Sequence, residues 1–218
     1  MARPRKSEHT KQALLEIGMQ QLTEHGYHGT GIKQILDAAN VPKGSFYNFF
    51  ESKEHFVAEI IGYYGKLVSA EFEAISREFN QQPAIARLWL NFHQKVLLRI
   101  EKRDTCACLI GVMSAEIAQS SGLCRQAISA IEAEWVAAIA VLITRGQMAG
   151  DILNEISTEN LAASFYNSWQ GSLLEYQVCD NPNIVLQRLH TFISLLATPS
   201  GKQTLHSVAS FSKEITYV

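Results

Sequence analysis

Apolar residues recur at helical spacing along almost the whole chain. Between Ser7, a plausible N-cap, and Gly26, a plausible residue after the helix end, this spacing predicts a first helix. A short amphipathic segment begins at Ile32, Pro42 interrupts it, and residues 43–50 have the length of a third short helix. The first fifty residues therefore predict three short helices. No alternating pattern of useful length predicts a strand anywhere in the sequence.

About six longer helices are expected after residue 50. The first opens at Ser52-Lys53-Glu54 and runs toward Phe79, and the second spans Ile85–Ile100. The third follows Asp104-Thr105 and runs through Met113 and Ile117, and the fourth spans Leu123–Met148. The fifth starts at Ser157 or Thr158, and the sixth follows the turn at 180–183. The polar tail from 199 to 218 is left open between a short helix and disorder. The sequence therefore predicts an all-α fold with a small N-terminal domain and a larger helical domain.

Charge and cysteine content narrow the class of protein only slightly. The formal net charge is −2, and acidic residues balance the basic opening of the chain by residue 60, so bulk charge does not indicate nucleic acid. No apolar run follows the first Met, and the longest uninterrupted apolar stretch, 135–143, is too short to span a bilayer. We expect a cytoplasmic protein that does not enter a membrane and whose four cysteines are free thiols.

The two short helices around Asn40-Val41-Pro42 have the length and hinge of a helix-turn-helix, whose second helix enters the DNA major groove. Lys43 supplies a charge for phosphate or guanine, Ser45 and Tyr47 supply hydroxyls for phosphate, and Asn48 supplies an amide that can pair with an adenine edge. Spacing alone leaves an ordinary helical hairpin with exposed polar residues equally open.

The residues of this region resemble the DNA-binding signature of the TetR family of transcription regulators. The matching stretches are Gly29–Ile32, Ile35-Leu36, Ala38–Phe50 and Ser52–Glu54. The resemblance implies a three-helix DNA-binding domain over residues 7–67. It also implies a helical domain over 68–198 that dimerises and binds an inducer, followed by the tail 199–218.

The resemblance and the pattern together give a set of candidate DNA-binding residues. They are Thr30, Gly31, Lys33, Lys43, Gly44, Ser45, Tyr47, Asn48 and Lys53. Gly44 lacks a side chain and permits close approach to the DNA backbone, and Lys53 is placed to hold a flanking phosphate. Two positions depart from the family pattern: Gly31 replaces a Ser or Thr that contacts phosphate, and Phe49 replaces a His or Tyr. Each departure is expected to remove one contact to the DNA backbone.

The pair Cys106 and Cys108 is open to several interpretations. A metal site needs about four ligands, and only folding by chance would bring Cys124 and His93 to this pair, so we expect no metal. No paired acid and base, phosphate-binding loop or nucleophile motif is present, so we expect neither an enzyme nor a cofactor. One open interpretation is that both cysteines are small, buried, apolar residues without a chemical role.

A reactive sensor thiol is the alternative interpretation of the same pair. If a helix begins at Asp104 or Thr105, both cysteines lie in its first turns, where the helix dipole and the adjacent Lys102 and Arg103 favour a thiolate. The stretches 107–111 and 114–118 also resemble the TetR-family branch that responds to small electrophiles and unsaturated acids or aldehydes. In this resemblance Cys108 is the matched residue and Cys106 is an unmatched extra. A structural cysteine that only marks the branch stays open.

Aromatic residues in the second half of the chain are candidates for an inducer cavity, although aromatic residues at helical spacing usually form core. They are Trp89, Phe92, His93, Trp135, Phe165, Tyr166 and Trp169. For His93, a packed histidine is the ordinary alternative to a ligand contact.

The last two long helices, 157–178 and 183–197, suit an antiparallel pair that joins its copy in a four-helix homodimer interface. Two recognition helices would then lie about 34–36 Å apart, one DNA turn, on a palindromic double-stranded operator. The expected function is a ligand-responsive transcription regulator, a repressor that a small-molecule inducer releases from DNA. A coupling of about 1–3 kcal/mol between inducer and DNA is enough for useful regulation.

Overall fold

The computed structural model describes residues 6–101 and 108–215, with the side chains of residues 8–101 and 108–209. These residues form ten helices and no strand, which confirms the predicted all-α class, and one isolated antiparallel bridge joins Ile152 and Ala197. The helices are α1 (Lys6–Gly29), α2 (Ile32–Ala39), α3 (Lys43–Phe46), α4 (Lys53–Glu78), α5 (Ala84–Glu101), α6 (Leu109–Glu116), α7 (Gly122–Met148), α8 (Thr158–Cys179), α9 (Asn183–Leu196) and α10 (Pro199–Ile215).

Two predicted helix boundaries have a clear local cause. Gly26 has φ 70° and ψ −179°, so helical geometry breaks at this residue, although one more turn follows to Gly29. Ser157 caps α8 as predicted, because its Oγ accepts a hydrogen bond from the Asn160 amide at 3.3 Å.

Two other boundaries differ from the prediction. Helix α3 ends at Phe46 rather than at residue 50, because the chain turns and lets Phe50 pack back on Phe46, with ring centroids 5.1 Å apart. Helix α6 begins at Leu109, and Cys108 precedes it with extended backbone, φ −61° and ψ 127°. The expectation that Cys108 lies in the first turn of a helix is therefore wrong. Residues 102–107, which include Cys106, lie outside the described residues.

The tail that begins at residue 199, for which the sequence did not decide between a helix and disorder, contains helix α10. Pro199 occupies its first position, where a missing N–H costs nothing, and the Thr198 hydroxyl accepts a hydrogen bond from the Gly201 amide at 3.2 Å. A Cβ on Gly201 would collide with the Asp151 carbonyl oxygen, and Leu205 is fully buried. These contacts hold the start of the tail in place.

The chain divides into two compact units by packing. Unit 1 contains the described residues of Met1–Val68 and Cys106–Glu132, and unit 2 contains those of Ser69–Thr105 and Ala133–Val218. The core of unit 1 includes Phe46, Phe50 and Phe56, whereas unit 2 is built around aromatic residues of α5, α8 and α9. The assignment of separate functions to residues 7–67 and 68–198 stays a prediction.

Helix α7 is long and apolar enough to cross a membrane by length and composition alone, with a mean hydropathy of 1.8 in its most apolar stretch. One such helix is weak evidence of a membrane span, because core helices of soluble proteins have the same character.

Candidate nucleic-acid interface

Helices α2 and α3 are joined by a tight turn whose residue types suit its geometry. Asn40 ends α2 in the left-handed conformation, φ 52° and ψ 44°, which asparagine tolerates better than most residues. The Val41 amide donates to the Leu36 carbonyl at 3.0 Å, and the Ser45 amide donates to the Pro42 carbonyl at 2.9 Å. The turn is therefore fixed by its own backbone hydrogen bonds.

The inner face of α3 is anchored in an aromatic core. Phe46 is fully buried, and its ring lies 5.1 Å from that of Phe50 and 5.2 Å from that of Phe56, the last in an edge-to-face arrangement. Ile35 and Leu36 of α2 are buried as well. Because one face of this four-residue helix is held inward, its other residues face outward.

The outward face of α3 and of the turn after it carries the predicted polar residues. Lys43, Gly44 and Asn48 are exposed, Tyr47 is 54% exposed, and Ser45 is half-buried. A Cβ on Gly44 would meet no atom within 4 Å. The packing of the protein therefore does not require glycine here, and the open space is available to a partner molecule.

The start of α2 presents two more predicted residues. Lys33 is exposed, and Gly31 is exposed at the N-cap position of the helix. The amide of Gly31 donates to the Gln34 side-chain oxygen at 2.8 Å, so this N–H already has an acceptor within the protein. Phe49 is half-buried, with its ring 6.1 Å from that of Phe50.

The structure corrects the prediction for Thr30. Its side chain is 1% exposed, and its hydroxyl donates to the Gly26 carbonyl at 2.7 Å and the Gln21 carbonyl at 3.0 Å. The hydroxyl therefore closes the end of α1 and is not available to a phosphate. Sequence alone does not show this, because a threonine before a helix can cap backbone or contact DNA equally well.

Lys53 is likewise engaged within the protein. Its Nζ donates to the Tyr27 carbonyl at 2.6 Å and lies 4.0 Å from the centroid of the Tyr27 ring. Partial burial lowers the pKa of Lys53, and the Glu116 carboxylate partly offsets that effect. The structure thus places this ammonium beside the last turn of α1, and its expected role on a flanking phosphate stays a prediction, because an ammonium has two further N–H donors.

Cys108 belongs to unit 1 and is 5% exposed. Its Sγ lies 3.6 Å from the hydroxyl oxygen of Tyr64 on α4, a distance at which either atom can donate the hydrogen bond. Sequence reasoning did not identify Tyr64, because no local signal links two residues so far apart in the chain. Cys108, Cys124 and Cys179 are all free thiols.

The other predicted ligand residues belong to unit 2 and lie in its buried aromatic cluster. The Phe92 ring lies 4.7 Å from Phe165 and 5.0 Å from Trp169, and the Trp89 ring lies 5.2 Å from His93. Burial lowers the pKa of His93, so this imidazole is held in its neutral form. The cluster brings together residues from α5 and α8, as an enclosed ligand site or a plain core would.

One buried polar atom in this cluster has no partner among the described residues. The indole Nε1–H of Trp89 is buried and has no hydrogen-bond acceptor there, although buried donors are nearly always paired. An oxygen-bearing molecule placed beside it would satisfy that donor. Trp135, by contrast, donates its Nε1–H to the Ser69 hydroxyl at 3.2 Å.

Two family models match the chain. Residues 14–60 match the model described as bacterial regulatory proteins, tetR family, and residues 84–192 match the tetracyclin repressor-like C-terminal domain. The first match covers the helix-turn-helix, and the second covers half of the chain.

Individual relatives agree with these matches. The chain is 34% identical over 172 residues to the HTH-type transcriptional repressor DhaR of Mycobacterium sp. strain GP1, covering 77% of this chain and 82% of DhaR. It is 28% identical over 200 residues to the HTH-type transcriptional repressor NemR of Escherichia coli K12, covering 88% and 96%. Its fold is similar to that of the regulatory protein TetR from Rhodobacter sphaeroides, with TM-score 0.78 and 26% identity over 85% of this chain and 98% of that one.

Proposed function

Because the chain belongs to the tetR family of bacterial regulatory proteins, we propose that it represses transcription by binding a palindromic operator as a dimer. Its family makes it a ligand-responsive DNA-binding regulator and not an enzyme. We further propose a palindromic operator, a dimer interface, a small-molecule inducer and a cytoplasmic location.

The exposed face of α3 carries the DNA-binding proposal. Lys43 at the start of α3 and Tyr47 and Asn48 directly after it face solvent. Backbone hydrogen bonds fix the turns before and after α3, which is how a groove-reading surface is presented. Ser45 and Gly44 lie between them and allow close approach to a phosphate. We propose that Lys33 contacts the flanking DNA backbone, and that Gly31, whose amide already has an acceptor, lies beside that backbone without a hydrogen bond to it.

Footprinting of the intergenic DNA upstream of its gene tests the proposal. We expect a protected palindrome with half-sites one DNA turn apart. Binding that is independent of sequence, with no protected palindrome, would contradict it.

We propose that α8 and α9 form the dimer interface. The two helices pack on each other through a short turn and are joined by a bidentate Arg188–Glu175 ion pair at 2.6 and 2.9 Å. Apolar side chains nevertheless remain outside this pair, with Val178 89% and Leu195 71% exposed. Apolar surface of this kind is what a second copy would bury.

Sedimentation of charged variants tests this interface. Val178→Glu is expected to give a monomer with weakened operator binding, because a buried unpaired carboxylate opposes association. Val141→Glu, at an exposed valine of α7, is the matched control and should remain dimeric. The reverse result would move the interface to α7.

We propose that the Cys108 thiol is the sensor for small electrophiles such as unsaturated aldehydes. Its sulfur would add to the β-carbon of the aldehyde, and the thiol proton would pass to the α-carbon. The Tyr64 hydroxyl at 3.6 Å can donate to a thiolate formed there. Modification of a buried thiol adds atoms to a packed site and favours another conformation.

Matched cysteine variants test the sensor. Cys108→Ser should abolish release of DNA by acrolein, whereas Cys179→Ser, which removes an exposed thiol, should leave it unchanged. If Cys108→Ser responds as the wild type does, the inducer acts without a covalent bond. The Trp89 indole, with His93, Phe165 and Trp169, is then the site to examine.

A further inference from the structure

The last turn of α1 begins with backbone that cannot satisfy its own hydrogen bonds. Gly26 interrupts α1 with φ 70°, and one turn, Tyr27 to Gly29, follows the interruption. N–H groups at the start of a helical turn have no acceptor within that turn. The amides of Tyr27 and His28 therefore need acceptors from elsewhere.

The last residue of α6 supplies that acceptor. Glu116 Oε2 accepts from the Tyr27 amide at 2.8 Å and from the His28 amide at 3.2 Å. Hydrogen bonds to a charged acceptor are about twice as strong as those between neutral groups. One carboxylate thus caps two amides that precede it by almost ninety residues in sequence.

The carbonyl group of Tyr27 is bound by a positive charge, opposite in sign to the Glu116 carboxylate that binds its amide. Lys53, the first residue of α4, donates to the Tyr27 carbonyl at 2.6 Å and lies over its ring. Glu116 raises the pKa of Lys53 against the effect of burial, which indicates that the two charges interact. The N–H and the C=O of one residue are therefore bound by side chains of two different helices.

Gly26 suits this site in two ways. Its positive φ would strain any other residue, and a Cβ there would displace the Glu116 carboxylate from its present position. The Gly26 carbonyl also accepts from the buried Thr30 hydroxyl. Thr30 is followed directly by Gly31, the N-cap of α2, so this set of bonds ends one residue before the start of α2.

We propose that Glu116 is a positioning residue for DNA binding: it fixes the α1–α2 connection, and thereby the helix-turn-helix, by capping the Tyr27 and His28 amides. The proposal rests on the proposed DNA-binding function. Glu116 does not contact DNA in this role. Loss of its carboxylate frees the connection, and DNA must then order that segment as it binds.

Amide exchange and DNA affinity measured on the same variants test the proposal. The variants are Glu116→Ala, which removes the acceptor, Glu116→Gln, which keeps an acceptor oxygen without the charge, and Gln119→Ala as a matched control at an exposed residue nearby. Exchange of the Tyr27 and His28 amides is followed by NMR on the full chain. Affinity is measured for a duplex of the upstream intergenic DNA.

We expect fast exchange at both amides in Glu116→Ala and a loss of affinity of about tenfold or more. Glu116→Gln should lie between the wild type and Glu116→Ala, and Gln119→Ala should match the wild type. Unchanged exchange in Glu116→Ala, or faster exchange with unchanged affinity, overturns the proposal. If the wild type itself does not bind the duplex, the proposed function fails with the positioning role, while the exchange data still report whether Glu116 caps the amides.

Discussion

Unit 1 and unit 2 differ in the contacts that distinguish them beyond a hydrophobic core. In unit 1, charged side chains from α4 and α6 bind backbone groups in the last turn of α1, and Lys43, Tyr47 and Asn48 face solvent. In unit 2, the rings of Phe92, Phe165 and Trp169 pack on one another. Both units have an aromatic core, and unit 1 in addition holds the backbone at the end of α1 with two charged side chains from other helices.

One lysine in each unit has a partner of a different kind. Lys95 in unit 2 is buried, and its ammonium binds the Glu71 carboxylate at 2.6 Å, one side chain satisfying another. Lys53 in unit 1 binds a backbone carbonyl.

Truncation of an aromatic side chain in each unit should separate the two regions most strongly. Phe165→Ala removes a fully buried ring from unit 2 and is expected to lower the free energy of unfolding by about 3–5 kcal/mol. Tyr47→Ala, at an exposed ring of unit 1, should change it by less than about 0.5 kcal/mol. Urea unfolding measures both, and similar losses for the two variants would remove the contrast.

The double variant Lys43→Ala, Tyr47→Ala is expected to lose binding rather than stability. Operator affinity should fall by about 2 kcal/mol or more, with a smaller salt dependence, because a phosphate charge and a hydroxyl contact are both removed. Lys66→Ala, an exposed lysine on α4, is the control. A double variant that binds as the wild type does would show that α3 is not the groove-reading element.

Thr30→Val tests whether this residue serves the frame or the DNA. Losing this bifurcated hydrogen bond in a buried site should cost about 1–3 kcal/mol of unfolding free energy. Thr191→Val, at an exposed threonine of α9, should leave stability nearly unchanged. Unchanged stability for Thr30→Val, together with weaker DNA binding, would return this residue to the DNA contacts.

The smallest expected effect is that His93 makes the folded protein slightly less stable as the pH falls. Burial lowers its pKa in the folded protein, so below the ordinary value of 6.5 the unfolded chain takes up the proton first. The contribution of His93 is present above pH 6.5 and is lost as pH falls below it. Thermal unfolding at pH 7.5 and 5.5 should show a smaller difference in His93→Gln than in the wild type, while exposed His9→Gln should behave as the wild type. Equal differences in all three proteins would contradict the assignment.

The sequence predicted the helix-turn-helix well because its signals are local. Asn40 and Pro42 have backbone preferences that act over a few residues, and Phe46 and Phe50 mark the buried side of α3. The same local signals predicted the cap at Ser157. They failed at α6, whose start at Leu109 follows the extended backbone of Cys108.

What the sequence determined by itself is the helical class, the family signature and the outward residues of α3. Only the tertiary structure decided that the Thr30 hydroxyl and the Lys53 ammonium are used within the protein, and that Glu116 reaches the Tyr27 amide. The physical reason is range. Helical periodicity and turn preferences act between near neighbours, whereas the partner of a polar group depends on which distant helix folds against it.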